Sequence, residues 1–297
     1  LKSGEPFAGL FTQGMACHET YRADDGRWLT PDEVNKEGDA AVELATAKPI
    51  RLGRSEKMSK SKKNVVDPEA ILQTYGADTA RLFMMSDSPP ERDLEWTESG
   101  VEGAWRYINR LWRLVDEPSV PLGAKEAAEP AAFDGPAMDL RRATHKAIDG
   151  VSEDLEKFHF NRAVARIREH TNALADAKGD GAEMAWAYRE GLEALVRLIG
   201  PIAPHIAEEL WSRLGHDGLL ADAPWPKADP ALVIDETITI AVQVNGKLRA
   251  QIQAARDTPK DALEAAALAD PNVVKNLDGK TPRKVIVVPN RIVNVVV

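Results

Sequence analysis

Five consecutive residues combine lysine and serine side chains in a way that suits phosphate binding. They are Lys57-Met58-Ser59-Lys60-Ser61, and the next three are Lys62, Lys63 and Asn64. A lysine ammonium is a compact, mobile charge that can follow a phosphate while negative charge moves during a reaction. Serine hydroxyls and backbone N–H groups add donors that cradle phosphate oxygens. Residues 55–64 are therefore predicted to form a mobile phosphate-binding loop. A solvated loop without function is the alternative, because short Lys/Ser runs are common.

Other residues with ion-binding chemistry lack the spacing that a site requires. Cys17 is the single cysteine, and the six histidines are scattered, so no zinc ligand set and no internal disulfide is predicted. Asp24-Asp25-Gly26 resembles the start of a calcium loop, but the later acidic positions are missing, and a plain turn is favoured. No metal site is predicted in this chain.

Composition indicates an ordinary soluble protein whose charge is unevenly distributed. The 297 residues are 43% hydrophobic and 29% charged, enough for two or more domains, and no signal peptide or membrane span is recognisable. The net charge of −9 is uneven: residues 237–297 hold nine basic and five acidic residues, a net +4 against −13 elsewhere. Such asymmetry points to a polyanion-binding end, with a solvated basic surface as the alternative. Because the first residue is Leu1, a piece of a longer polypeptide is expected.

The elements that must position these residues follow from hydrophobic periodicity. Residues 1–54 are irregular, with a hairpin turn at Asp25-Gly26 and a helix start at Thr30–Glu33. From Asp67-Pro68 to about residue 214 the apolar spacing is helical, and five or six helices with short connections predict an antiparallel bundle. The residues 118–136 are predicted to be a linker or long loop.

Two groups of side chains on the predicted helices leave alternatives open. The arginines are expected on a solvated helix face, paired with Glu102 and Glu169, rather than on RNA phosphates; they are Arg106, Arg110, Arg113, Arg162 and Arg166. Trp105 and Trp112 lie at helical spacing and are predicted to be core residues rather than base-stacking residues.

In the tail the apolar period changes to two. Residues 238–244 alternate, Asn245-Gly246 is a hairpin turn, and Leu248, Ala250 and Ile252 are expected on the same face of the return strand. Helix starts follow at Thr258-Pro259 and Asp270-Pro271, then two strands over residues 284–288 and 292–297. A small α+β domain of order β-β-α-α-β-β is predicted.

The loop and several further stretches together resemble one enzyme family. Residues 57–61 match the second signature of class I aminoacyl-tRNA synthetases, and the rest is similar to the leucine–tRNA ligases. The similar stretches include Asp67-Pro68, Tyr75–Met85, Leu94–Trp96, Glu98–Gly103, Pro204-His205, Ala223–Pro226, Val242–Lys247 and Arg283–Ile286, with Gln13–Met15 upstream. The resemblance spans nearly the whole chain.

The resemblance implies roles for particular residues. Lys60 is the implied catalytic lysine that contacts ATP phosphates during formation of leucyl-adenylate, and Lys57, Ser59 and Ser61 bind ATP with it. Lys247, Arg249, Arg283 and Lys284 are implied tRNA contacts. ATP with Mg²⁺, leucine and tRNA(Leu) are the implied substrates and partners, and a cytoplasmic monomer without a membrane contact is expected.

The resemblance also implies a mainly α architecture with four parts. Residues 1–64 end a nucleotide-binding α/β catalytic domain and carry a small insertion at about 22–53. Residues 65–222 form an antiparallel helical bundle of the anticodon-binding type, residues 223–236 a linker, and residues 237–297 an α+β domain that binds tRNA.

Part of the family's active site is missing from these residues. The first class I signature, a His-x-Gly-His stretch, does not occur, and His18-Glu19-Thr20-Tyr21 does not match it. The chain alone is therefore expected to be inactive, as a C-terminal fragment of a ligase. A stand-alone tRNA- or RNA-binding module is the main alternative. Ligases for valine, isoleucine or methionine fit less well, since neither a cysteine-rich end nor a heptad coiled coil occurs.

Overall fold

The computed structural model describes Gly4 and residues 7–38, 40–234 and 237–297. Two compact units are present, Leu1–Asp229 and Pro230–Val297. About 46% of the chain is helical and several small sheets accompany the helices, so the expectation of a mostly helical protein with sheets is confirmed.

The first unit begins with short strands that form three small sheets. The strands are β1 (Ala16–His18), β2 (Tyr21–Arg22), β3 (Trp28–Leu29), β4 (Val34–Glu37), β5 (Ala40–Glu43), β6 (Arg51–Leu52), β7 (Glu56–Lys57) and β8 (Leu94–Glu95). The sheets have the orders β7-β1-β8, β3-β2-β6 and β4-β5. The predicted turn at Asp25-Gly26 joins β2 to β3, and Gly26 has a φ of +88°, which suits glycine.

The helix predicted from Thr30 stops after a single turn. Glu33 does accept a hydrogen bond from the Thr30 backbone N–H at 2.8 Å, as a capping box requires. The helical segment is only a 3₁₀ turn, Pro31–Glu33, because the chain then pairs as a strand, with Val34 opposite Glu43. Pairing with a distant strand therefore prevails over the local start signal.

Seven helices build the core of the first unit. They are α1 (Pro68–Tyr75), α2 (Ala77–Ser86), α3 (Glu98–Asp116), α4 (Gly135–Glu156), α5 (Phe160–Ala175), α6 (Ala182–Ile199) and α7 (Pro204–Arg213). α4 packs on α5 and α6, α2 on α3 and α5, and α6 on α7. Leu111, Ile167 and Leu195 are fully or almost fully buried in the shared core. The apolar stripes thus face one another, as the 3.6-residue period indicates. None of the helices in the described ranges has the length and apolar character needed to cross a membrane.

The prediction for the two tryptophans of α3 is right for one and wrong for the other. Trp112 is partly buried against the core. Trp105 is 44% exposed and meets only the edge of the core region through a T-shaped contact with Tyr75, at 6.5 Å between centroids. The buried side of α3 runs through Ala104 and Leu111, and Trp105 is rotated away from it by one residue, about 100°.

Of the helix arginines that were expected to pair with glutamates, one does so and two have a different partner. Arg106 bonds to Glu102 at 3.5 Å, as expected for a solvated face. Arg162 and Arg166 do not pair with Glu169; their Nε atoms lie 3.2 and 2.7 Å from the carboxylate of Asp154, which is 1% exposed. A buried carboxylate requires such partners. These two arginines therefore join α4 to α5.

The second unit has the predicted order of elements. After α8 (Pro230–Val233) come β9 (Thr237–Val244), β10 (Lys247–Ala255), α9 (Lys260–Ala269), α10 (Pro271–Leu277), β11 (Lys284–Val288) and β12 (Ile292–Val296). The sheet order is β10-β9-β12-β11, with β9 and β12 parallel. The β-β-α-α-β-β prediction is confirmed, and the helices cover a core that includes Val242, Leu263 and Val293.

A bulge in β10 changes the predicted faces of the hairpin. The two-residue turn places Lys247 opposite Val244 and Leu248 opposite Gln243, which turns Leu248 outward, and it is 55% exposed. The register then shifts before Ala250, which returns Ala250 and Ile252 to the core side. One inserted residue moves later side chains to the opposite face, so the expectation for Leu248 was wrong.

Candidate functional site

The predicted phosphate-binding loop extends from a short strand pair. β7 runs antiparallel to β1, with Lys57 opposite Cys17, and the Met58 N–H donates to the Ala16 carbonyl at 3.0 Å. A single 3₁₀ turn, Lys60–Lys62, follows, and the Ser59 hydroxyl accepts a hydrogen bond from the Lys62 N–H at 3.4 Å. The loop thus begins on a sheet and ends in a capped turn.

The two serines of the loop lie together. Their Oγ atoms are 2.7 Å apart, so one hydroxyl donates to the other. Ser59 is half-buried and caps the turn, while Ser61 is exposed. Two hydroxyl groups are therefore presented beside Lys60, as phosphate binding would require.

The four lysines of this segment divide into two pairs. Lys62 forms an ion pair with Glu56, and Lys63 lies 3.6 Å from Glu33. The hydrogen bonds to Lys62 and then to Arg54 hold the pKa of Glu56 below its usual value, so this partner stays charged. Lys57 and Lys60 are exposed, and the described part of the chain offers neither of them an acidic partner. The two lysines of the five-residue motif are thus the two that remain available to an anionic ligand.

Two charged residues of α2, to which the sequence assigned no role, join this helix to the start of α7 and the residues before it. The Asp78 carboxylate accepts from the Ile206 N–H at 2.7 Å and contacts the His205 Nδ1 at 2.8 Å, at the start of α7. Arg81 donates to the carbonyls of Pro201 and Ile202, both at 2.9 Å. Charged residues inside the helical stretch Tyr75–Met85 were the signal that could have indicated this role.

Replacing Asp78 by alanine should lower the free energy of unfolding by about 1–3 kcal/mol, because the first N–H groups of α7 lose their acceptor. Chemical denaturation measures the change. Asp149→Ala, at an exposed position of α4, is the matched control and should shift stability by less than about 0.5 kcal/mol. Equal stability of the two variants would contradict the role of Asp78.

The four basic residues predicted in the tail gather at one end of its sheet, but not along one edge. Lys247 starts β10 and Lys284 starts β11, which are the two outer strands. Lys247 lies opposite Val244 of β9, and Val244 in turn lies beside Val295 of β12. The next residue of β12, Val296, lies opposite Lys284, so the two lysines are at the same end of the sheet. Three strand spacings separate the two lysines, about 14 Å. Arg249 lies at the bulge and Arg283 just before β11, and all four residues are exposed.

In the described ranges of the chain, no group of three or more His, Cys, Asp or Glu side chains could hold a metal ion.

The pKa of the Cys17 thiol is raised, first by burial and then by the negative charges of Asp93 and Glu95. The thiol therefore stays protonated.

Two parts of the chain match known protein families. Residues 45–97 match the family model of class I tRNA synthetases for I, L, M and V, and residues 138–264 match the anticodon-binding domain of tRNA ligases. The leucine–tRNA ligase of Rhodospirillum rubrum is 59% identical over 298 residues, covering all of this chain and 35% of that protein. The leucine–tRNA ligase of Paramagnetospirillum magneticum is 58% identical, and the match covers all of this chain and 34% of that protein.

A solved structure agrees over almost the full chain. It is a ternary complex of an Agrobacterium radiobacter K84 LeuRS with tRNA and LeuAMS, 30% identical with a TM-score of 0.72, covering 99% of this chain and 33% of that one. The chain spans about a third of the length of the curated relatives it matches, in their C-terminal part. It therefore belongs to the leucine–tRNA ligase family.

Proposed function

We propose that the chain works as the C-terminal part of a leucine–tRNA ligase that activates leucine with ATP and transfers it to tRNA(Leu). The observation that carries the proposal is the pairing pattern of the loop: among the residues that the structure describes, Lys57 and Lys60 have no acidic partner, whereas Lys62 and Lys63 are held by Glu56 and Glu33. A loop that served only solubility would gain nothing from leaving two of its four lysines without a carboxylate partner. The substrates leucine, ATP and tRNA(Leu) are inferred from the family to which the chain belongs.

In the proposed reaction, a carboxylate oxygen of leucine attacks the α-phosphorus of ATP, and the bond to pyrophosphate breaks. Negative charge then accumulates on the departing pyrophosphate. The Lys60 ammonium neutralises this charge, while Lys57 and the hydroxyls of Ser59 and Ser61 hold the phosphate oxygens. ATP brings Mg²⁺ as its counterion. The leucyl-adenylate then passes its leucyl group to a hydroxyl of tRNA(Leu) and releases AMP. The leucine pocket is proposed to lie outside this chain.

The parts of the chain receive separate roles in this proposal. Residues 1–64 complete a catalytic domain and carry the insertion at about 22–53. Residues 65–222 form the anticodon-binding-type bundle. Residues 223–236 are the linker to residues 237–297, which bind tRNA. The exposed basic end of the tail sheet supports the last role, with Lys247, Arg249, Arg283 and Lys284 as phosphate contacts. A cytoplasmic monomer remains our expectation.

The isolated 297-residue chain should show no leucine-dependent exchange of pyrophosphate into ATP, because the first class I signature is not in it. The full-length ligase, assayed in parallel, is the positive control. The chain alone should still bind tRNA(Leu), as a filter-binding titration would measure. Leucine-dependent exchange by contaminant-free chain would contradict the proposal. A full-length ligase inactive in exchange would favour the alternative, a tRNA- or RNA-binding module.

A further inference from the structure

Asn64, the residue that closes the loop, is fully buried and uses its whole side-chain amide. Its Oδ1 accepts a hydrogen bond from the Ser59 N–H at 2.9 Å. Its Nδ2 donates to the carbonyls of His18 and Glu56, both at 3.1 Å, and to that of Lys57 at 3.4 Å. One side chain thus contacts β1, β7 and the beginning of the 3₁₀ turn.

These contacts bracket the part of the backbone that carries the free lysines. The Lys57 carbonyl lies on one side of Met58 and the Ser59 N–H on the other, and Lys60 follows directly. Among the other described contacts, the Met58 bond to Ala16 and the Ser59 cap of the turn hold this stretch. Together with these two contacts, the amide of Asn64 ties both ends of this stretch to β1.

The chemistry of the site selects asparagine. The contacts need one acceptor and two N–H donors on a short stem, and only the amide side chains offer both. Aspartate has the same shape and keeps the acceptor for Ser59, but it would place a carboxylate oxygen against three carbonyl oxygens. Alanine removes all four bonds and leaves buried polar backbone groups unpaired.

We propose that Asn64 is a positioning residue for nucleotide binding: its hydrogen bonds hold Lys57 and Lys60 in the orientation that receives the phosphates of ATP. This inference rests on the proposed function of the loop. Asn64 touches no substrate and acts through the two lysines. A displacement of a charged group by about 1 Å is enough to cost up to roughly a hundredfold in rate.

The test uses the full-length ligase with Asn64→Asp and Asn64→Ala, assayed by pyrophosphate exchange at varied ATP and varied leucine. We expect kcat/KM for ATP to fall at least about tenfold, with KM for leucine and the dissociation constant of tRNA(Leu) unchanged. Asn109→Asp makes the same chemical change on the exposed surface of α3, where Asn109 donates to the Trp105 carbonyl, and should leave kcat/KM for ATP and KM for leucine unchanged.

A double-mutant cycle with Lys60→Ala separates positioning from stability. If Asn64 acts through Lys60, the double variant should be little slower than Lys60→Ala alone. Full additivity overturns the proposal, as does a parallel loss for ATP and leucine, or the failure of both Asn64 variants to fold. Normal exchange by Lys60→Ala would instead refute the function of the loop itself. A slow Lys60→Ala beside a normal Asn64→Asp would refute only the role of Asn64.

Discussion

Replacing Lys60 by alanine in the full-length ligase should slow leucine-dependent pyrophosphate exchange about a hundredfold or more, which corresponds to ~3 kcal/mol of activation free energy. The proposed reason is that the Lys60 ammonium neutralises charge that develops on the departing pyrophosphate. KM for leucine should change little, because Lys60 acts on the nucleotide. Lys57→Ala should be harmful as well, but less so.

The loop itself supplies the matched control. Lys62 lies two residues further in the same 3₁₀ turn, but its ammonium is paired with Glu56. Lys62→Ala removes an equal charge from the same place and should lower the exchange rate by less than about tenfold, the scale of a partly exposed ion pair. Equal effects of the two substitutions, or near-normal exchange by Lys60→Ala, would remove Lys60 from the catalytic role.

Deleting residues 237–297 from the full-length ligase should leave pyrophosphate exchange nearly intact and reduce aminoacylation of tRNA(Leu) by about two orders of magnitude. The deleted segment carries a net +4 charge and presents Lys247 and Lys284 at one end of its sheet. It has its own hydrophobic core, which includes Val242, Leu263 and Val293. Both half-reactions should be measured on the same preparation.

Charge reversal distinguishes docking on RNA from a purely structural tail. Lys247→Glu, Arg249→Glu, Arg283→Glu and Lys284→Glu should each weaken tRNA binding and reduce the slope of log K against log salt by about one unit. Lys275→Glu, exposed on α10 in the same unit, is the control and should leave the slope unchanged. If the deletion lowers exchange, aminoacylation and thermal stability together, the tail is a packing element and the docking role is wrong.

The sequence alone determined the features that depend on neighbouring residues. The 3.6-residue period located the helices from Asp67 onward, and the period of two with Asn245-Gly246 located the hairpin of the tail, because each pattern follows from the geometry of its own element. The chemical nature of residues 57–61 is equally local, and together with the similar stretches along the chain it indicates the family from the sequence alone.

The tertiary structure decided what depends on distant partners. Glu33 holds Lys63 from thirty residues away, and Asn64 reaches back to His18, so the sequence could not show which lysines stay free or what fixes their backbone. The helix that begins at Thr30 ends because β4 pairs with β5. Arg162 and Arg166 form ion pairs with Asp154 rather than with Glu169. The bulge at Arg249 likewise interrupts the strict alternation of β10, so that Ala250 and Ile252 face the core of the sheet. Each outcome is set by long-range hydrogen bonding and packing, whose free energies exceed local preferences and leave no periodic trace in the chain.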